Sequence, residues 1–560
     1  MHEPRGTANG SLKAAVPRFE EADPMVTKLR HLTAVSFLLV VLVAQPPASA
    51  QRRGDVPVVT AASQVTTNPN PTRAHSSPVI ARNPENGELV IAETNVYEGF
   101  GIDVHISTDD GRSWFRGGSP MMEPYTWNSD FAINGPYFTM AFDDDGALYM
   151  ALSATDPRFG DLNRAQRPRP IFLARSSDSG RSFATDFVYR VAEDNPKVIN
   201  NRRPMVAIDP KDSSKIYVSW LQTSSGEKSR SLIAASSDGG RSFSEPVDLA
   251  EPVDQGGYQS RPAVGPDGVV HAIFPGGGFT PQAPPGAPAP EMPVRPLFYR
   301  QSSDSGRTWS PPRVIDQGSA GFDHMRKPLL AADPDSGALY AVWYGSSKTR
   351  PTAEDDSDVL VRVSPDGGSS WSDPVTVNDD ATSPNTRHYD PGIAITPNGR
   401  VDIAWYDFRN SPVPESVPPT FAPPFNNGGF QDVYYASSTD AGRSFSPNVR
   451  ITDRMIDRRI GVWSNNIHSH YNVGIASTNN TVYFAWQDSR NGDSLTNSED
   501  VYFAALLRDP PEAVADDSGS EVPGWVLLGA GAAAGMGVAM ILVLLATRRG
   551  RPSGEPATVR

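Results

Sequence analysis

Three short phrases in this sequence could grip an anion. Arg202-Arg203-Pro204, Arg261-Pro262 and Arg326-Lys327-Pro328 each set one or two cations directly before a proline. A guanidinium offers a planar fork of donors, so several converging on one place would hold a carboxylate or sulfate by paired hydrogen bonds. Two further phrases, His388-Tyr389-Asp390 and His470-Tyr471-Asn472, combine imidazole, phenol and carboxylate or amide groups that can bind polar ligands, attack carbon or move protons. His75, His324 and His468 fall in comparable places. The absence of cysteine removes thiolate and disulfide chemistry. Asp143-Asp144-Asp145-Gly146 looks like the start of a calcium loop but lacks the later spaced ligands and distal Glu, so it reads as a turn. Neither a metal nor a cofactor is expected.

The elements that would position these groups come from a repeat. Ser-x-Asp-x-Gly-x-Ser/Thr-aromatic occurs at Ser107–Trp114, Ser176–Phe183, Ser236–Phe243, Ser302–Trp309 and Ser438–Phe445, and again at Ser364–Trp371 with Pro365 in second place. In a tight hairpin the Asp carboxylate accepts from turn amides, Gly permits a positive φ, and the aromatic anchors the turn. Each copy follows three apolar segments, such as Pro204–Ala207, Ile216–Trp220 and the run before the turn, and precedes a fourth such as Val247–Leu249. Four short strands per unit is the pattern of a propeller blade.

The turn resembles the Asp box of bacterial sialidases and other Asp-box (BNR-repeat) β-propellers, and the resemblance covers most of Pro57–Leu507. It implies an all-β propeller of four-stranded blades. A seventh unit, Val473–Ala476, Val482–Trp486 and Asp500–Ala504, has no box or fourth strand of its own, and Pro57-Val58-Val59-Thr60 would supply that strand. Seven blades are therefore preferred, with six plus an irregular end segment as the alternative. Sialidases have six.

Strand direction alternates within a blade, so the boxes lie on one face. The lead-in to each innermost strand and the loop after each second strand share the other. Long insertions at Thr155–Pro170, Pro275–Val294, Ser346–Asp356, Phe408–Gly429 and Asp488–Glu499 gather on that second face, where function usually sits. In sialidases an Arg of an Arg-Ile-Pro motif belongs to a triad that binds the substrate carboxylate. Arg203-Pro204 and Arg261-Pro262 resemble it without the Ile. Arg203, Arg261, Arg326, His388 and His470 are the candidate substrate-binding residues. The family's nucleophilic Tyr and its Asp acid find candidates by location alone in Tyr389 and Tyr471, and in Asp390 and Asp323. A recurring phrase, Trp405-Tyr406-Asp407-Phe408-Arg409-Asn410 and Trp486-Gln487-Asp488-Ser489-Arg490-Asn491, reads as packing between blades.

The chain has 560 residues and a formal net charge of -14, which argues against a nucleic-acid partner. Residues 1–50 read as an extension and a secretory signal, with Lys28 and Arg30 before the apolar run and Ala48-Ser49-Ala50 after it. Residues 51–507 would form the propeller and 508–523 an acidic stalk. Residues 524–547 would form one membrane-crossing helix, held by Arg548, Arg549 and Arg551 of a cytoplasmic tail, 548–560. Gly531-x-x-x-Gly535 offers a weak dimer contact along that helix. Two function classes stay open: a membrane-anchored sialidase-like exo-glycosidase acting on acidic glycans, and a non-catalytic surface propeller that binds glycan or protein.

Overall fold

The structure, a computed structural model, describes residues 57–70, 73–95, 101–125, 138–154, 169–190, 199–224, 227–254, 256–277, 295–318, 327–345, 357–380, 386–412, 429–461 and 473–508. The expected signal, most of the stalk, the membrane helix and the tail lie outside these residues. Among the described residues no helix is long and apolar enough to cross a membrane.

The described strands form seven antiparallel sheets, each a blade of the propeller. The innermost strands, in chain order, are His75–Arg82, Phe138–Phe142, Ile199–Asp209, Arg261–Val264, Leu329–Ala332, His388–Ile395 and Gly474–Ser477, and they number blades 1 to 7. Each contacts the next around the ring, and the last contacts the first. The fourth strand of blade 7 is Val58–Val59, paired as Val58 with Leu507 and Val59 with Leu506. Ser63–Gln64 extends the same edge against Tyr502 and Phe503. The ring is thus closed by Val58–Val59, which gives blade 7 the fourth strand its own unit lacks and covers the edge of Asp500–Leu507.

Second strands are buried along their length, as in Leu339–Gly345 and Val401–Asp407, because both faces are covered by neighbouring blades. This is why they read as continuous apolar runs rather than alternating ones. Trp220, Trp405 and Trp486 are fully buried there. The Trp405 and Trp486 indoles donate to Asp407 at 2.8 Å and Asp488 at 3.0 Å in their own strands. Arg409 and Arg490 then bridge those carboxylates to Asp379 and Asp453, beyond the outer strands of the preceding blades. The repeated phrase is interblade packing, as its recurrence in adjacent blades implied.

All six Ser-x-Asp turns adopt one geometry. In the first, Gly111 N donates to Ser107 Oγ at 2.8 Å, and Ser113 Oγ donates to Asp109 Oδ2 at 2.6 Å. The copy with Pro365 matches it, at 2.7 Å for Gly368 N to Ser364 Oγ and 2.6 Å for Ser370 Oγ to Asp366 Oδ2, because Pro365 is exposed and takes no part. The glycine has a second reason besides its positive φ. A Cβ on Gly111 would fall 2.2 Å from Phe503 of blade 7, and one on Gly368 would fall 1.8 Å from Tyr299 of blade 4.

Candidate functional site

The face opposite these turns is built from strand starts that break the ladder. In blades 1, 3 and 6 the innermost strand carries a bulge, between Ser76 and Val79, Arg202 and Met205, and Tyr389 and Gly392. Each bulge holds a left-handed residue just before a proline: Ser77 with φ 60°, Arg203 with φ 56° and Asp390 with φ 48°. Proline has no N–H to waste in the gap, but a non-glycine residue in this region costs on the order of 1–3 kcal/mol. Neighbouring blades brace the distortion. Thr139 Oγ1 of blade 2 donates to Pro204 O at 3.2 Å, and Val473 N of blade 7 donates to Asp390 O at 3.0 Å. A strained residue that is held in place by its neighbours marks a site where side-chain direction matters.

Arg203 and Arg261 both line an axial cavity of about 290 Å³, whose walls include residues of all seven blades, among them Val79, Met140, Leu330, Ile393 and Ile475. The Arg203 guanidinium lies over the Tyr258 ring, 5.2 Å from its centroid, and its carbonyl accepts from Gln259 Nε2 at 3.3 Å. Arg261 Nε donates to Pro328 O of blade 5 at 2.9 Å, and its Nη1 lies against the Met205 sulfur of blade 3. Both arginines are buried, and so is Lys327 of the third phrase. Lys327 Nζ meets Asp390 Oδ1 at 2.6 Å. Burial pushes the Lys327 ammonium down to about 8. Asp390 opposes that fall, while Arg203 and Arg261 add to it. Three cations from consecutive blades therefore share one field, with one carboxylate among them.

The other predicted residues divide. Tyr389 is half-buried in an aromatic group, with Tyr344 and Phe408 each 5.5 Å away edge-on. Its hydroxyl accepts from Arg387 Nη1 at 3.0 Å, and the Arg458 guanidinium lies 5.6 Å from its ring centroid. His388 is buried and turned between blades 5 and 6. One ring nitrogen faces Ser357 O, and the other meets Asp380 at 3.0 Å and Asp407 at 3.3 Å. Burial opposes its charge, but the two carboxylates outweigh that and hold the imidazolium up to about 10. Asp323, Arg326, Tyr471 and His470 lie outside the described residues.

The third phrase offers Arg326 as its candidate, yet it is Lys327 that directly precedes Pro328, as Arg203 and Arg261 precede theirs. Arg387 and Arg458 were not among the candidates. Arg387 lies two positions before Tyr389, and Arg458 reaches the same ring from a separate segment.

No protein-family model matches this chain, and no curated protein matches it. Among solved structures it is similar to the Hadza microbial sialidase Hz136, at 14% identity over 76% of this chain and 75% of that one, with TM-score 0.40. It is similar also to a Penicillium chrysogenum alpha-L-arabinanase complexed with arabinobiose, at 15% identity over 62% and 94% of the two chains, TM-score 0.40. Phage phi92 endosialidase is similar at 10% identity over 83% and 71%, TM-score 0.42. Similarities this distant carry no argument about what this chain does.

Proposed function

We propose that this propeller acts on acidic glycans, gripping a carboxylate or sulfate at the mouth of its axial cavity, with sialidase-like glycoside hydrolysis as its chemistry. The observation that carries the reading is the pair of buried guanidiniums, Arg203 and Arg261, lining one cavity with Lys327 close enough to feel both. Buried cations in a low-dielectric recess attract an anion far more strongly than exposed ones. Catalysis is supported by the surroundings of Tyr389. A phenol touched by one guanidinium and overlain by another is suited to bear negative charge as it attacks an anomeric carbon. The Lys327–Asp390 pair favours the second reading, binding without turnover, since it holds as a counter-ion the one sequence-predicted acid among the described residues.

The protein would work outside the cytoplasm, anchored by residues 524–547. Protease added to intact cells should then free the propeller while leaving the tail after Arg548 protected. A glycan array probed with the purified protein tests the central claim, read for both retention and cleavage. Retention confined to sialylated, uronate-bearing or sulfated glycans supports it, and release of a terminal acidic sugar selects the hydrolase. Equal retention of neutral glycans, or none at all, would overturn it.

A further inference from the structure

The second and third strands of every blade face each other across one pair at the same register, buried or partly so. In blades 2 to 7 this pair is apolar or aromatic: Leu152–Phe172, Phe274–Phe298 and Trp405–Tyr434 are examples, and blades 3, 5, 6 and 7 all place a Trp there. In blade 1 it is Glu93 opposite Asp103. Two carboxylates directly opposed in a sheet repel, and Glu93 is fully buried. Such a pair is destabilising unless positive charge joins it.

Two imidazoles share the same face. His75 Nδ1 lies 2.7 Å from Glu93 Oε1, and His105 Nε2 lies 3.4 Å from the same oxygen. Ligand atoms of His75, Glu93 and Asp103 all fall within 4.8 Å of one another. His75 Nε2 and Glu93 Oε2 are buried without a hydrogen-bond partner. Asp103 also accepts from Asn95 at 3.2 Å and from the largely exposed Arg116 at 2.6 Å. Such a surface bridge opposes a stronger ligand only weakly.

We infer that His75, Glu93 and Asp103, with His105 in the fourth position, bind a divalent transition metal of the zinc type. Two imidazoles and two carboxylates suit zinc rather than calcium or magnesium, which prefer oxygen alone. Tetrahedral bonds of about 2.0–2.1 Å set ligand atoms about 3.3 Å apart. Glu93 Oε1 stands 2.7 and 3.4 Å from the two imidazole nitrogens, and Asp103 within 4.8 Å of Glu93 and His75, so a bound ion would draw Asp103 inward. The histidine that holds the strand position of His75 in blade 6 makes a contrast. There His388 meets Asp407 and Asp380, but Arg409 already joins both carboxylates, at 2.8 and 3.3 Å, and fills the cation's role. The blade 1 site sits at the ring's seam: His75 N donates to Glu499 O of blade 7 at 2.9 Å. A bound ion would pin blade 1 to the blade that closes last.

The test uses the full-length protein, stripped with a chelator and titrated with Zn²⁺ by calorimetry and with Co²⁺ by visible absorption. One ion per chain, a tetrahedral Co²⁺ spectrum and a rise in Tm with Zn²⁺ are expected. Glu93→Gln should weaken Zn²⁺ binding roughly 100-fold or more. Glu93→Leu with Asp103→Phe, the pair blade 2 carries, should fold, bind no Zn²⁺ and lose the Tm response. Asp103→Asn, at the less buried edge, serves if the double variant does not fold, and should show the same loss in weaker form. Absence of Zn²⁺ and Co²⁺ binding by the parent, or equal binding by the variants, would overturn the assignment.

Discussion

The two faces of the ring treat repetition differently. On one face six turns repeat almost atom for atom: the second hydroxyl meets the Asp Oδ2 at 2.6 Å in every copy. On the other, the described strand starts share a bulge in blades 1, 3 and 6 but carry different side chains on it. Blade 3 presents a left-handed Arg203, blade 4 an extended Arg261, and blade 6 a left-handed Asp390 salt-bridged to blade 5. Uniform turns fix where each strand ends. That leaves the opposite ends able to diverge without loss of register.

This separation can be broken from either side. The largest effect should come from the seam, since deletion through Ala62 strips the fourth strand from blade 7 and removes the Thr60 N to Ala505 O bond. Aggregation or collapse of the melting transition is expected, measured by calorimetry and size-exclusion chromatography. Unchanged melting would show that the strand is dispensable. Next, Arg203→Ala and Arg261→Ala should each cost on the order of 2–5 kcal/mol in binding of an acidic glycan while the fold persists. Arg→Lys at either place should rescue little, because an ammonium lacks the planar fork. Parental affinity in both variants would move the site away from the cavity mouth.

A smaller effect concerns pH. Lys327 is charged below about 8 and loses its proton above it, so anion affinity should fall as pH rises through that value. The lost charge-assisted contact is worth about 1.5–3 kcal/mol. The folding contribution runs the other way. The folded pKa lies below the unfolded 10.5, so the unfolded chain binds more protons between about 8 and 10.5. The group's stabilising share is fully present above 10.5 and lost as pH falls through about 8. A Lys327→Met variant should flatten both profiles. The smallest change is Asp238→Ala in the third turn, which should lower stability by about 1–2 kcal/mol and leave ligand affinity alone. An altered affinity there would mean the two faces are coupled.

The ring itself was legible in the sequence because it is periodic. Six turns, apolar second strands and a seventh unit short of its last strand were enough to prefer seven blades over six and to place the closing strand. The site was legible only where a residue's direction is local. Arg203 and Arg261 precede prolines at strand starts, and both reach the cavity. His388 occupies the same kind of place, yet its direction is set by cross-strand pairing with Asp407, a partner 19 positions away that the spacing does not reveal. Glu93 is one of three polar residues that end the strand Leu89–Asn95, and nothing in its local sequence sets it apart. Its oddity emerges only when the register of all blades is compared. Asp390 was read as an acid before its cation was known, because Lys327 lies 63 positions earlier on another blade.

The closing strand has a consequence for the protein's biogenesis. Thr60 and Ala505 bond across 445 positions, so the ring's two ends are among the last residues that can meet. Contacts of such separation are slow to form, since loop closure comes before any gain from the pairing. Until the last blade has been made, Val58–Val59 and Ser63–Gln64 have no strand to pair with. A chain interrupted anywhere before Asp500–Leu507 therefore cannot close its ring. The first strand to be made is completed only by the last.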